Sequence, residues 1–309
     1  MSSPIDGRDR QRVAITGSSG LIGGALSSRL KARGDEVVRL VRRPVESADE
    51  ILWSPADGWL DPHDLEGVTA VVNLAGAGIG DHRWSTAYKR ELVESRVGAT
   101  TTVVQALQSL DHPVRLINGS AIGYYGDRGD EVLDETSAPG TGFLADLVVA
   151  WESATAEAAA AGHPTAQVRT GLVLAPGGGT MGRVLPLARL GLAGPLGRGR
   201  QWWSWISLVD EVDALIHLID HRDITGPVAL VGPAPVRQAE AMRVLGRILH
   251  RPAFLPAPAP ALRLVLGEFA GDVLASQRVH PGVLTSTGFT WRHHDIEAAL
   301  RRVVSGDGS

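Results

Sequence analysis

The sequence predicts an α/β protein: a doubly wound parallel sheet that carries a smaller, discontinuous C-terminal lobe. Three observations predict it. A β-branched run, Val13 to Thr16, breaks into glycines spaced as Gly17-x-x-Gly20-x-x-Gly23, then into Leu21, Ile22, Ala25, Leu26 and Leu30 at helical spacing. Short apolar runs go on alternating with helical patterns as far as Leu174, which is the rhythm of βαβ units. That rhythm stops at Ala175, and glycine- and arginine-dense sequence takes over.

Taken in order, Glu36 to Val41 reads as the second strand, ending at Arg42-Arg43-Pro44. Ile51 to Leu65 reads as irregular connection with one short strand. Val68 to Leu74 is continuously apolar, as a parallel strand buried on both faces should be. Ser85 to Leu110 is a long helical pattern, Val114 to Ile117 starts a strand, Phe143 to Ala161 is an alanine-rich helix, and Gln167 to Leu174 is again strand-like. Gly177-Gly178-Gly179 opens a loop-rich insert; Asp210 to Ile219 resumes helix and Val228 to Val231 is the last sheet strand. Arg237 to His250 reads as helix, Pro252 to Pro260 as extended chain, and Leu262 to Gln277 as helix. The expected organisation is a flexible tail over residues 1–11, a nucleotide-binding domain over 12–175 completed by 206–231, and a lobe built from 176–205 and 232–305.

Composition excludes several classes of function. With 309 residues, 44% hydrophobic and 21% charged, the chain has ample material for a core. A net charge of −4 and a pI near 6.2 offer no electrostatic reason to bind nucleic acid or an anionic membrane. No apolar run approaches the ~20 residues of a membrane span. The absence of cysteine removes disulfides, zinc thiolates and a cysteine nucleophile, and fits a cytoplasmic protein. His280, His293 and His294 lack the spacing of a ligand set, so no metal is expected. Asp127, Asp130, Glu131, Asp134 and Glu135 read as a solvated acidic loop. Gly119-Ser120-Ala121 is not a hydrolase elbow.

Strand, glycine turn and helix in that order form a dinucleotide site: glycine lets the backbone pass close to a pyrophosphate, and the helix N-terminus meets its charge. The residues expected there are Gly17, Ser19, Gly20, Leu21, Ile22 and Gly23. An acidic residue at the end of the second strand would select NAD. This chain has Arg42 and Arg43 instead, whose guanidinium groups suit a 2′-phosphate, so NADP is expected. Asn73-Leu74-Ala75-Gly76 ends the next buried strand, where small residues let the chain pass beneath the ribose and nicotinamide linkage.

Several stretches carry a family likeness: Thr16-Gly17-Ser18-Ser19-Gly20-Leu21-Ile22-Gly23, Val72-Asn73-Leu74-Ala75-Gly76, Ser95-Arg96-Val97 and Ser120-Ala121-Ile122-Gly123-Tyr124-Tyr125-Gly126. Further along come Arg169-Thr170-Gly171-Leu172-Val173-Leu174, Gly191-Leu192-Ala193-Gly194-Pro195-Leu196-Gly197, Trp203-Ser204-Trp205-Ile206 and Gln277-Arg278-Val279. In this order they resemble an extended short-chain dehydrogenase/reductase, the superfamily of the nucleotide-sugar epimerases. More narrowly, the chain resembles its epimerase-like atypical branch, whose C-terminal module is a domain of unknown function. The resemblance implies a Rossmann fold and an NADP site that uses the glycine turn, Arg42, Leu74, Ala75, Glu91 and Arg96, with Gly76 alongside.

The resemblance also exposes a gap. Members of the superfamily use a Ser or Thr together with a Tyr-x-x-x-Lys pair, the tyrosine exchanging a proton with substrate while the lysine lowers its pKa. Ser120 fits the serine position. Counting back from Glu152, Leu144 occupies the tyrosine position and Val148 that of the lysine; the only lysines are Lys31 and Lys89. Tyr124, in the loop aimed at the nicotinamide, is the replacement proton donor that the sequence offers. A tyrosine with a pKa near ~10 gives a proton at neutral pH more readily than it takes one, which favours reduction. Arg183, Arg189, Arg198 and Arg200 of the insert suggest an anionic small-molecule substrate, and Trp203 and Trp205 alternate so as to share one face. Three functions follow: an NADP-dependent reductase of a small or nucleotide-linked carbonyl, a nucleotide-sugar epimerase or dehydratase, and a non-catalytic NADPH-binding sensor or scaffold.

Overall fold

The computed structural model describes residues 10–306; most of the expected N-terminal tail lies outside the described residues. Seven strands form one all-parallel sheet: β1 (Arg12–Thr16), β2 (Glu36–Val41), β3 (Glu50–Leu52), β4 (Ala70–Asn73), β5 (Arg115–Ala121), β6 (Thr165–Thr170) and β7 (Gly226–Leu230). Their spatial order is β7-β6-β5-β4-β1-β2-β3. The chain therefore walks outward from β1 to β3, returns, and walks the other way from β4 to β7. The reversal falls between β1 and β4, where Thr16 is in register with Asn73. Ligands of open α/β sheets bind in the crevice at such a point.

Strand alternation divides the core. Val13, Ile15, Val72, Ile117 and Val168 pack with Leu26 and Leu30 of α1 (Leu21–Ala32) on one face. Ala14, Val38, Val71 and Leu116 pack on the other with Ala99, Val103 and Leu107 of α2 (Thr86–Gln108). Successive side chains of a strand point to opposite faces, so both faces must be apolar when helices cover both.

Further helices are α3 (Phe143–Ser153), α4 (Gly179–Arg189), α5 (Leu208–Asp220), α6 (Gln238–Leu249), α7 (Ala259–Leu266), α8 (Phe269–Val273) and α9 (Ile296–Ser305), with other short helical turns between. Three expected segments come out differently. The pattern from Phe143 to Ala161 is not one helix. It breaks at buried Thr155, whose hydroxyl donates to the Glu152 carbonyl at 2.7 Å and accepts from Gln167 Nε2 at 2.7 Å, and a single turn, Ala156–Ala160, follows. The loop expected from Gly177 becomes α4 despite Pro186 inside it. Met181, Leu185 and Ala188 recur on one face and are buried, so tertiary packing outweighs the local penalty of the proline. The helix expected over Leu262 to Gln277 is split into α7 and α8 at Gly267, whose φ of 65° ends the first.

The insert and the C-terminal region share a core: Met181, Leu185 and Trp205 pack with Leu245, Leu300 and Val303. Leu284 and Trp291 instead join the core of the main sheet. No helix among the described residues is long and apolar enough to cross a membrane.

Candidate active site

The glycines of the first turn do different jobs. Gly17 has φ 65°, and a Cβ there would lie 2.7 Å from the Leu74 carbonyl oxygen. A Cβ on Gly23 would lie 2.3 Å from the Gly17 carbonyl oxygen. Both therefore serve the contact of turn, strand and helix. Gly20 is different: its Cβ would meet only the Gly17 carbonyl oxygen, at 3.2 Å. It is the N-cap of α1, and no side chain caps that terminus. The first N–H groups of α1 thus have no intrahelical partner and no cap, which is the cradle an anion requires. Ser19 and Leu21 are exposed beside it and Ile22 is half-buried.

Thr16 links this turn to the end of β4. Its hydroxyl donates to Asn73 Oδ1 at 2.6 Å and accepts from the backbone N–H groups of Leu74 and Ala75 at 3.0 and 3.1 Å. Asn73 Nδ2 donates to Thr100 Oγ1 and Asn118 Oδ1, at 3.0 and 2.7 Å, and Trp151 Nε1 donates to Thr100 at 3.0 Å. This buried polar chain ties three strands and two helices together beneath the crevice. Gly76 is exposed, and a Cβ there would lie 3.1–3.3 Å from the Arg96 side chain. Arg96 is buried, which lowers its pKa to about 10. It donates to the carbonyls of Leu92 and Ala77, at 3.2 and 2.9 Å, and so holds the chain after Gly76 in place. Glu91 is exposed on α2.

The two arginines after β2 have separate fates. Arg43 bonds Glu50 twice, at 2.6 and 3.0 Å, and that hydrogen bond raises its pKa. Arg42 is exposed and makes no side-chain hydrogen bond or ion pair among the described residues.

At the far end of the crevice Ser120 is not a free hydroxyl. It donates to Glu152 Oε1 at 2.6 Å. Glu152 is also bound by Arg169, Nε to Oε1 at 2.8 Å and Nη2 to Oε2 at 2.9 Å, and Arg169 Nη1 reaches the Tyr125 hydroxyl at 3.1 Å. Burial disfavours the charge on Arg169, but the bonds to Glu152 and Tyr125 outweigh it, and its pKa is raised. Burial pushes the Tyr125 phenol up to about 12. The Arg169 guanidinium also stacks 3.5 Å from the centre of the Tyr124 ring. Tyr124 is half-buried and its hydroxyl bonds no other described residue. Leu144 and Val148 pack in the same cluster as Tyr124 and Ala121. The positions that hold the proton-transferring pair in the resembling enzymes are here an apolar wall.

The insert is less convergent than its composition suggests. Arg183 donates to the Gly80 carbonyl at 2.7 Å and lies 3.5 Å from Asp81. Arg189, Arg198 and Arg200 are exposed. Trp205 is fully buried and Trp203 joins it in the core of the lobe, so the face they share looks inward. Trp202 is held between Arg237 and Arg278, at 4.1 and 4.5 Å, and donates to Asp130 at 3.0 Å.

The acidic loop is not simply solvated. Buried Glu135 accepts from the backbone N–H groups of Ala229 and Val283, at 3.0 and 3.1 Å, and Asp127 accepts from that of Ser276 at 3.0 Å. Val132–Leu133 pairs in parallel with Arg278–Val279. The loop lies between the edge strand β7 and the C-terminal region, and its carboxylates satisfy backbone donors of both.

Two more acids escaped the sequence reading. Glu211 is fully buried in the first turn of α5; Thr170 donates to its Oε1 at 2.8 Å, and Oε2 has no partner among the described residues. Burial pushes its carboxyl up to about 8. Asp272 on α8 is pushed up to about 6 by burial, with Lys89 opposing.

A crevice at the sheet reversal, an uncapped helix N-terminus and a small-residue strand end define a nucleotide-binding α/β protein of the extended dehydrogenase type. The chain belongs to the NAD dependent epimerase/dehydratase family, whose model matches residues 13–232; residues 257–303 match a domain of unknown function, DUF1731. It is 47% identical over 297 residues to the epimerase family protein Mb2239 of Mycobacterium bovis, covering 96% of this chain and 98% of that one. It is 35% identical to the human epimerase family protein SDR39U1, covering 95% and 100%. Among solved structures, human SDR39U1 (isoform 2) with NADPH superposes with a TM-score of 0.86 at 31% identity, covering 96% of this chain and 99% of that one. The nucleoside-diphosphate sugar epimerase of Corynebacterium glutamicum gives 0.77 at 36% identity, covering 94% of this chain and 57% of that one.

Proposed function

We propose that this protein is an NADP-dependent oxidoreductase that reduces a small carbonyl compound. The observation that carries the reading is the uncapped N-terminus of α1 at Gly20 together with the unpaired Arg42 at the end of β2. The first suits a pyrophosphate and the second a 2′-phosphate. NADPH on the related human structure supports the same choice. Gly17, Ser19, Gly20, Leu21, Ile22 and Gly23 would hold the diphosphate side, and Leu74, Ala75 and Gly76 the ribose and nicotinamide side. Arg96 would support that loop by fixing the Ala77 carbonyl, and Glu91, exposed on α2, is assigned to the same site by the resemblance.

NADPH, once bound, would supply the hydride. Tyr124 would hold the phenolic proton for the carbonyl oxygen and regain one from solvent. Ser120 acts indirectly, through the Glu152–Arg169 pair that supports the Tyr124 ring. The insert arginines are exposed and leave an anionic group on the substrate as an additional option. The cytoplasm, where NADPH is abundant, is the compartment that this reading implies.

Fluorescence titration with NADPH and NADH, followed by a carbonyl screen for NADPH consumption, tests the proposal. NADPH preferred over NADH, turnover of a carbonyl, and loss of that turnover in Tyr124→Phe are expected. Unchanged turnover in Tyr124→Phe removes Tyr124 as donor. The apolar Leu144 and Val148 favour a second reading, a non-catalytic NADPH-binding protein; tight NADPH binding with no turnover across a broad panel would select it.

A further inference from the structure

We propose that the carbonyl is carried on an apolar body, aliphatic or aromatic, and not on a polyhydroxylated sugar ring; this rests on the reading above of an NADP-dependent carbonyl reductase, with Leu144 and Val148 at the positions of the superfamily's tyrosine and lysine. The half-buried side chains gathered there include Ile79, Ala121, Tyr124, Phe143, Leu144 and Phe269. They come from the loop after β4, the end of β5 and the turn beyond it, the start of α3, and α8 of the C-terminal region. Segments remote in sequence thus converge on one carbon-rich wall, underlain by buried Val148 and Trp151.

Several of the polar groups next to this wall are already used within the protein. Trp84 Nε1 donates to the Ile79 carbonyl at 2.9 Å, the Tyr88 hydroxyl donates to the Gly78 carbonyl, and Lys89 is held by Glu268. Arg96 and Arg169 are occupied as described. Of the six lining side chains only Tyr124 carries a polar group, and its hydroxyl is unshared among the described residues. Asp272, three residues beyond Phe269 and within electrostatic reach of Lys89, adds one carboxyl.

A hexose brings several hydroxyls, and each one buried without a partner costs roughly tenfold in affinity. A carbonyl on a hydrocarbon body brings one acceptor, which one phenol satisfies, while its carbon atoms gain contact with Leu144, Phe143 and Phe269. The replacement of the tyrosine and lysine positions by leucine and valine changes the site in the same direction: it removes two polar groups from beside the reacting carbon and adds hydrocarbon.

The test uses saturation-transfer NMR on the full chain loaded with NADP+, with benzaldehyde, cyclohexanone and UDP-glucose as separate probes. Benzaldehyde and cyclohexanone protons should receive saturation only when NADP+ is present, and Leu144→Asn should weaken that binding about tenfold. The hexose protons of UDP-glucose should receive none. Saturation of the hexose protons, refusal of both carbonyl probes, or binding unaffected by Leu144→Asn would overturn the proposal. If Leu144→Asn melts early, Ile79→Asn in the loop makes the same comparison, and the wild-type probe panel decides without either. A protein that fails to bind NADPH in the preceding titration sinks the cofactor reading; one that binds NADPH yet refuses both carbonyls sinks this proposal alone.

Discussion

Arg169 and Glu152 meet through two parallel hydrogen bonds, 2.8 and 2.9 Å long, with the arginine almost wholly buried and the Ser120 hydroxyl donating to the same carboxylate. Removing either partner leaves a charge stranded out of water. Glu152→Ala and Arg169→Ala are each expected to lower stability by about 3–5 kcal/mol, and Ser120→Ala by about 1 kcal/mol. Denaturant melts of the three variants check this; equal, small losses would mean that the pair is solvated.

Arg42 and Arg43 should separate cleanly. Arg42→Ala is expected to weaken NADPH binding by about 10- to 100-fold, the worth of a charge-assisted bond to phosphate, and to leave NADH binding unchanged. Arg43→Ala should instead act on stability through Glu50. Fluorescence titrations with both nucleotides provide the measurement, and equal loss for both would refute the 2′-phosphate assignment.

The glycines should divide as their surroundings do. Gly23→Ala has to displace the Gly17 carbonyl and should cost about 1–3 kcal/mol of stability. Gly20→Ala meets only one atom at 3.2 Å, so its melting temperature should stay close to that of the parent while NADPH affinity falls. Melting and titration of both variants distinguish the effects.

Glu211 predicts a pH dependence. Its folded pKa is raised from 4.5 to about 8, so the folded state holds a proton that the unfolded state releases. The corresponding stability is fully present below pH 4.5 and is lost progressively as the pH rises to about 8, by at most about 4–5 kcal/mol. Glu211→Gln should remove this slope: similar melting to the parent at pH 5, and a higher melting temperature than the parent at pH 9. Parallel curves for the two proteins would show that the carboxyl is charged in the fold.

The sheet and the glycine turn were readable because their signals are local. Val13 to Ile15 and Ala70 to Val72 are apolar on both faces, and Gly17, Gly20 and Gly23 follow the first at fixed spacing. What escaped depends on partners remote in sequence. Glu135 and Glu211 look like surface acids until Val283, Ala229 and Thr170 are set beside them. α4 was hidden by Gly177–Gly179 and Pro186, because its stability lies in contacts with residues beyond 240. The Glu152–Arg169 pair did leave a trace: Arg169 interrupts a buried strand, and a buried charge needs a partner. The missing Tyr-x-x-x-Lys pair needed no structure at all, since the chain has too few lysines to hide it.

The division of labour within the first turn also bears on how this protein's history should be read. Gly17 and Gly23 are required by the neighbouring backbone, whether or not a nucleotide is present. A descendant that had abandoned its nucleotide would keep both for the sake of its own interior, and would drift at Gly20 and Arg42. Under the proposed cofactor site, those two positions would record inheritance of binding, while the other two record only inheritance of the fold.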